Sequence, residues 1–209
     1  LTDFQKSHGL TADGVAGPKT VAALEKAAYF PQRPPFPLLT QDQRITYFGD
    51  PRGQTVRIMS GSGHFEPDFE WRSRSIVQIL PEELAPWPHG WAMNHGIALH
   101  HRIAVNFLTM WKLWRQAGLF RCLHTWNGST VYRVSRSGSG RLSAHAFGIA
   151  FDINAKQNPY RSRAADVGEP GSVMELVTIA HACGFFWGGH FSTGDGMHFE
   201  FADVAQVGP

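Results

Sequence analysis

Two short runs limit what this chain can fold into. In GIAFDIN, residues 148–154, Ile149, Phe151 and Ile153 alternate with Ala150, Asp152 and Asn154. In MHFEF, residues 197–201, Met197, Phe199 and Phe201 alternate with His198 and Glu200. A period of two sends successive side chains to opposite faces of a strand. If both runs belong to one antiparallel sheet whose apolar face is covered by helices, Asp152 and His198 share the opposite, accessible face. Helical spacing supplies that cover. One helix is predicted from Asn94 to Gln116, with Ile97, Ala104, Phe107, Leu108, Trp111 and Trp114 inward and Gly118 as its stop. A second is predicted from Ser172 to Cys183, with Val173, Leu176, Ile179 and Ala180 inward. The expected fold class is α+β: a small, mainly antiparallel sheet with packed helices, preceded by a short helical segment.

That segment, residues 1–28, reads as helix, turn, helix. Asp13 and Gly14 form the turn, and Gly17 and Pro18 suit a cap and a first helical position. Pro31, Pro34, Pro35 and Pro37 then favour an extended, semi-stiff spacer. The expected division is a helical segment at 1–28, a Pro-rich linker at 29–44 and a main domain at 45–209. A content of 43% hydrophobic and 17% charged residues fits a globular chain. No apolar run approaches the roughly 18 residues of a membrane span, so no membrane partner is expected. A formal charge of +2 is too weak to argue for nucleic acid, yet it is compatible with an anionic polymer. Cys122 and Cys183 are too far apart for a CxxC metal knuckle, and their pairing stays open. From Leu1 onward the chain shows no signal-like segment, which leaves export open.

The chemistry concentrates in SAHAFGIAFDI, residues 143–153. His145 precedes Asp152 by seven positions, and Ala144, Ala146, Gly148 and Ala150 leave room for a metal and a substrate backbone. His198 would complete a set of three ligands. A structural zinc site is normally closed by four, whereas a catalytic one keeps a position for water. Asp195 stands three residues before His198, with Gly196 allowing a sharp turn between them, and is the candidate general base. A single histidine or aspartate on a strand is usually a structural residue, so the joint arrangement carries the argument. His100 and His101, inside the first predicted helix, read as structural. Trp187 and His190 either line the cleft or pack, and Glu200 either orients a ligand or is merely exposed. The absence of HExxH, GxSxG and a phosphate-cradling loop argues against the commonest rival chemistries.

These residues resemble two families. Phe4, Gln5, Gly9, Leu10, Asp13, Gly14, Gly17, Thr20, Ala23 and Leu24 match the second half of the small helical peptidoglycan-binding domain. Ser143, His145, Gly148, Ala150 and Asp152 match the SxHxxGxAxD signature of the zinc peptidases of the D-alanyl-D-alanine carboxypeptidase and phage L-alanyl-D-glutamate endopeptidase type. Asp195 and His198 match that signature's downstream partner. GFFWGG at 184–189 and Asn158-Pro159-Tyr160 are similar to its flanks.

The resemblance implies a DD-peptidase-like fold, shared with the Hedgehog signalling domain. It implies zinc held by His145, Asp152 and His198, with Asp195 as catalytic acid/base. It also implies an arginine that holds the substrate's carbonyl or carboxylate. Arg133 is the choice for that role, and Arg136 and Arg141 compete with it. The expected activity is hydrolysis of an amide bond in the peptide stem of peptidoglycan, and aspartate at 195 leans toward endopeptidase action. Peptidoglycan is the implied partner, the state monomeric, and the location extracellular or wall-associated. The alternative is a non-enzymatic, zinc-stabilised wall-binding protein.

Overall fold

Buried polar side chains and helix caps determine where the first elements begin and end. In the computed structural model, which describes residues 1–53, 57–58, 63–84, 96–136 and 140–207, the N-terminal pair is α1 (Thr2–Ser7) and α2 (Pro18–Ala28). Gln5, 1% exposed, organises the loop between them. Its side-chain amide donates to Asp13 Oδ1 and to the Val15 carbonyl, and its oxygen accepts from Gly14 N–H. One polar side chain thus satisfies backbone groups that a short loop would otherwise leave unpaired.

Extended backbone follows, with Pro31 and Leu39 buried, and it leads into α3 (Gln41–Phe48). A capping box starts this helix: Thr40 Oγ1 accepts from Gln43 N–H, and the Gln43 side chain accepts from Thr40 N–H. α3 therefore begins inside the stretch expected to be linker.

The next strands are short. β1 (Arg57–Ile58) pairs antiparallel with β2 (Phe65–Glu66), and α4 (Phe69–Ser75) is capped by Asp68. β3 (Ile76–Ile79) leads to α5 (Pro81–Leu84) and pairs antiparallel with β4 (Ile97–His100). α6 runs over His101–Gln116. The helix predicted from Asn94 is corrected here: Ile97–His100 is strand, and Asn94 lies outside the described residues. Pairing with β3 outweighs helical spacing in this run, and His100 Nδ1 accepts from Arg102 N–H to cap the helix that follows.

The main sheet comprises β5 (Trp126–Gly128), β6 (Ala150–Ile153), β7 (Phe185–Trp187) and β8 (His198–Phe201), with α7 (Met174–Ala182) ahead of β7. Its order is β5-β6-β8-β7 and every pairing is antiparallel, so the fold class is α+β. Phe151 lies opposite Phe199 and Asp152 opposite His198. The apolar face packs on α6 and α7. The Phe151 ring stacks on Phe199 at 5.3 Å and on Trp126 at 5.6 Å, and meets Phe107 of α6 edge-on at 5.3 Å. Ile149, Phe151, Ile153, Phe185, Phe199 and Phe201 are fully buried. Each contributes about 1.5–3 kcal/mol relative to exposure. Among the described residues no helix is long and apolar enough to cross a membrane.

Candidate metal centre

The polar face of β6 and β8 carries the site. His145 reaches it from the 3₁₀ turn Ala144–Phe147, which ends at Gly148 with φ of 69°. A Cβ at Gly148 would stand 3.0 Å from His100 N and 2.6 Å from Ile76 Cδ1, so glycine lets the turn lie directly on the β3–β4 layer. The loop carrying Asp195 is set as closely. Asp195 N–H donates to the Gly188 carbonyl, a Cβ at Gly188 would meet Asp195 O at 2.5 Å, and the Trp187 indole donates to Gly196 O. Asn158 O accepts from Met197 N–H just ahead of His198.

Three acceptor atoms converge. His145 Nε2 lies 3.1 Å from His198 Nδ1 and 3.2 Å from Asp152 Oδ1, and His198 Nδ1 lies 3.0 Å from that oxygen. Among the described residues this is the one group of three or more His, Cys, Asp or Glu side chains placed to hold a metal ion. The far ring nitrogens are engaged elsewhere. His145 Nδ1 bonds the Ser129 carbonyl, and His198 Nε2 lies 3.1 Å from Glu200 Oε2. Because both partners are oxygen acceptors, each ring has an N–H engaged on the far side, which leaves its inward nitrogen as the one that can ligate a metal. Positive charge between these three atoms, a shared proton or a metal ion, is what holds them so close. The separations are close to the roughly 3.4 Å edge of a tetrahedron with bonds of about 2.1 Å. The donor set therefore fits a divalent ion with nitrogen and oxygen preference.

Charge on the site follows the same geometry. Burial opposes ionisation of Asp152, but its bonds to His145 and His198 prevail and hold the carboxyl far below the usual range. Burial likewise opposes protonation of His198, yet Asp152 and Glu200 outweigh it and push the imidazole up to about 10. The inward acceptors thus attract positive charge strongly, and a metal ion binding there displaces a proton. Asp195 behaves differently. Burial raises its carboxyl, Asp152 adds to that, and the pull of the two histidines is not enough to reverse it. Its Oδ1 is buried without a hydrogen-bond partner among the described residues.

A cavity of about 320 Å³ opens over these groups, and Arg133, Arg136, Arg141, Tyr160, Phe191 and Asp195 are in its lining. Arg133 extends from a segment bridged to His64, and Arg133 O accepts from Ser143 N–H, which brings it beside the His145 turn. Its guanidinium donates to Val134 O, and burial followed by neighbouring Arg136 lowers its pKa. The structure thus gathers His145, Asp152, His198, Asp195 and Arg133 around one cavity, with Arg136 and Arg141 on the same rim. Trp187 and His190 are not in that lining: Trp187 is fully buried and His190 packs edge-on against it. Cys122 and Cys183 are both free. Glu200 is buried and bonded to His198, and its other oxygen accepts from Arg44 at 2.7 Å. Arg44 belongs to no recognised motif. The Thr40–Gln43 capping spacing is the local mark that a helix starts there.

Two histidines and two aspartates of an α+β fold thus line one cavity. The comparisons with known proteins give the class. Residues 137–201 match the family described as D-alanyl-D-alanine carboxypeptidase, and residues 1–24 match the putative peptidoglycan binding domain. Neither curated proteins nor solved structures yielded a match. Both matches fall on the residues that carry the resemblance read from the motifs: the first spans His145, Asp152, Asp195 and His198, and the second spans the N-terminal helical segment.

Proposed function

We propose that the chain is a zinc-dependent peptidase that hydrolyses an amide bond in the peptide stem of peptidoglycan, between L-alanine and D-glutamate or between two D-alanines. His145, Asp152 and His198 hold the metal, Asp195 is the general acid/base, and Arg133 binds the substrate. The observation that carries this reading is the convergence of His145 Nε2, His198 Nδ1 and Asp152 Oδ1 in one cavity with Asp195, whose Oδ1 is buried and has no hydrogen-bond partner among the described residues. Residues 1–28 form the wall-targeting segment, and the peptidase domain follows the extended stretch after it.

A zinc ion held there supplies Lewis acidity toward water and toward the scissile carbonyl. Asp195 Oδ1, buried and without a competing donor, accepts the proton of the attacking water and returns it to the leaving amine nitrogen. Arg133 donates to the carbonyl oxygen as negative charge develops, or to a carboxylate of the stem peptide. Aspartate at 195 favours the endopeptidase bond, in keeping with the resemblance to phage endopeptidases.

Zinc content and hydrolysis of purified wall peptides, measured on the native chain and on Asp195→Ala, test this reading. Both proteins should bind about one zinc, and the variant should cut at least roughly 10²-fold more slowly. The products identify the bond. If the native chain holds zinc but cuts no wall peptide, the zinc-stabilised binding protein takes this reading's place.

A further inference from the structure

The two histidines of the centre are anchored differently, and one anchor leads out of the sheet. His145 is held by a backbone carbonyl, that of Ser129. His198 is held by a carboxylate, Glu200, which is 4% exposed and therefore needs a partner of its own. That partner is Arg44, on the far side of the extended stretch that precedes the peptidase fold. Its Nη2 lies 2.7 Å from Glu200 Oε1, and the side chains of the pair are 14% and 6% exposed.

The same first turn of α3 grips the other histidine's approach. Gln41 Oε1 accepts from Leu142 N–H at 3.0 Å, and Arg44 Nη1 lies 3.4 Å from Leu142 O. Leu142 stands three residues before His145. One helical turn therefore holds the peptide leading to one ligand and the carboxylate orienting the other. Leu38, just ahead of that turn, lines the cavity beside Arg44 and Glu200.

We propose that Arg44 is a positioning residue for metal binding: by fixing Glu200 it keeps His198 Nε2 on the carboxylate and Nδ1 turned toward His145 and Asp152. This rests on the metal reading above. Without Arg44, the Glu200 carboxylate loses its partner and is free to turn away, and the His198 ring loses the acceptor that defines its orientation. Outer groups of this kind typically change metal affinity by about 10–100-fold when removed. The stretch 38–44 is then part of the centre rather than a tether to it.

The test is the zinc dissociation constant of the full chain, measured by competition with a chromophoric chelator for the native protein, Glu200→Gln, Arg44→Gln, Arg44→Lys and the double variant Arg44→Gln/Glu200→Gln. Circular dichroism confirms that each is folded. We expect Glu200→Gln and Arg44→Gln each to weaken zinc binding about 10–100-fold. The double variant should be no weaker than the worse single, because both changes break one chain of contacts. Arg44→Lys, which keeps the charge opposite Glu200, should recover most of the affinity and serves as the folded variant should Arg44→Gln unfold. If Arg44→Gln binds zinc within about twofold of native, or if the losses simply add, the proposal is overturned while the metal reading survives. Native protein that binds no zinc overturns both.

Discussion

The two faces of the central sheet are built on opposite principles. On one, Phe151 and Phe199 stack between Trp126, Phe107 and Trp114, and each ring has several neighbours that exclude water together. On the other, Asp152, His198 and Glu200 each have assigned atomic partners: Asp152 Oδ1 meets both histidines, and His198 lies between Asp152 and Glu200. The apolar face depends on volume, whereas the polar face depends on register. Both come from the same two strands, where Phe151 opposite Phe199 makes Asp152 opposite His198 unavoidable. Stability and chemistry should therefore be separable by mutation, even at neighbouring residues.

The largest separation is expected between Phe151→Ala and Asp195→Ala. Phe151 is fully buried among aromatic rings, so its truncation should cost about 3–5 kcal/mol, read as a lowered urea midpoint. Asp195→Ala removes a buried carboxyl whose Oδ1 has no partner among the described residues, and should shift that midpoint by less than about 1 kcal/mol while abolishing most turnover. Equal losses of stability in the two variants would break the distinction between the faces.

A smaller effect sharpens it from outside the site. His100 is 2% exposed, accepts from Arg102 N–H through Nδ1 and bonds Phe48 O through Nε2, which holds it as the neutral ring. Burial, with His101 and Arg102 adding to it, brings its pKa down to about 4. The unfolded chain then takes up this proton before the folded one does. The contribution of His100 to stability should be constant above about pH 6.5, fall as pH drops toward about 4, and level off below that, with a loss of up to about 3 kcal/mol from this group. Denaturation midpoints between pH 4 and pH 7 should show a shallower slope in His100→Gln. An unchanged slope would mean that the loss arises elsewhere.

How much of this was legible beforehand follows from the same contrast. Alternation in GIAFDIN and MHFEF exposed both faces, and the seven-residue spacing of His145 and Asp152 with the His198 partner located the cavity, because strand period and motif spacing are local. The β4 strand was hidden, since Ile97 stands seven residues before Ala104 and so extends the helical spacing of the run that follows, and only pairing with β3 decides. Arg44 was hidden for a related reason. Its contact with Glu200 spans 156 positions, and no periodicity records a contact between a helix and a strand so far apart in sequence. Side chains that hold a site from outside its motif are visible only once the chain is folded.

The smallest predicted effect lies where that outside support begins. Thr40 caps α3, and the turn it starts carries Gln41 and Arg44. Thr40→Ala removes one acceptor from the first turn and should cost about 1 kcal/mol of stability, read from the denaturant midpoint. If α3 serves only as packing, zinc affinity will not change. If its first turn positions Glu200 and Leu142, fraying that turn should weaken zinc binding measurably, by less than Arg44→Gln does. The polar face would then owe part of its order to a helix that contributes no atom to the converging triad, whereas the apolar face is ordered by its own rings.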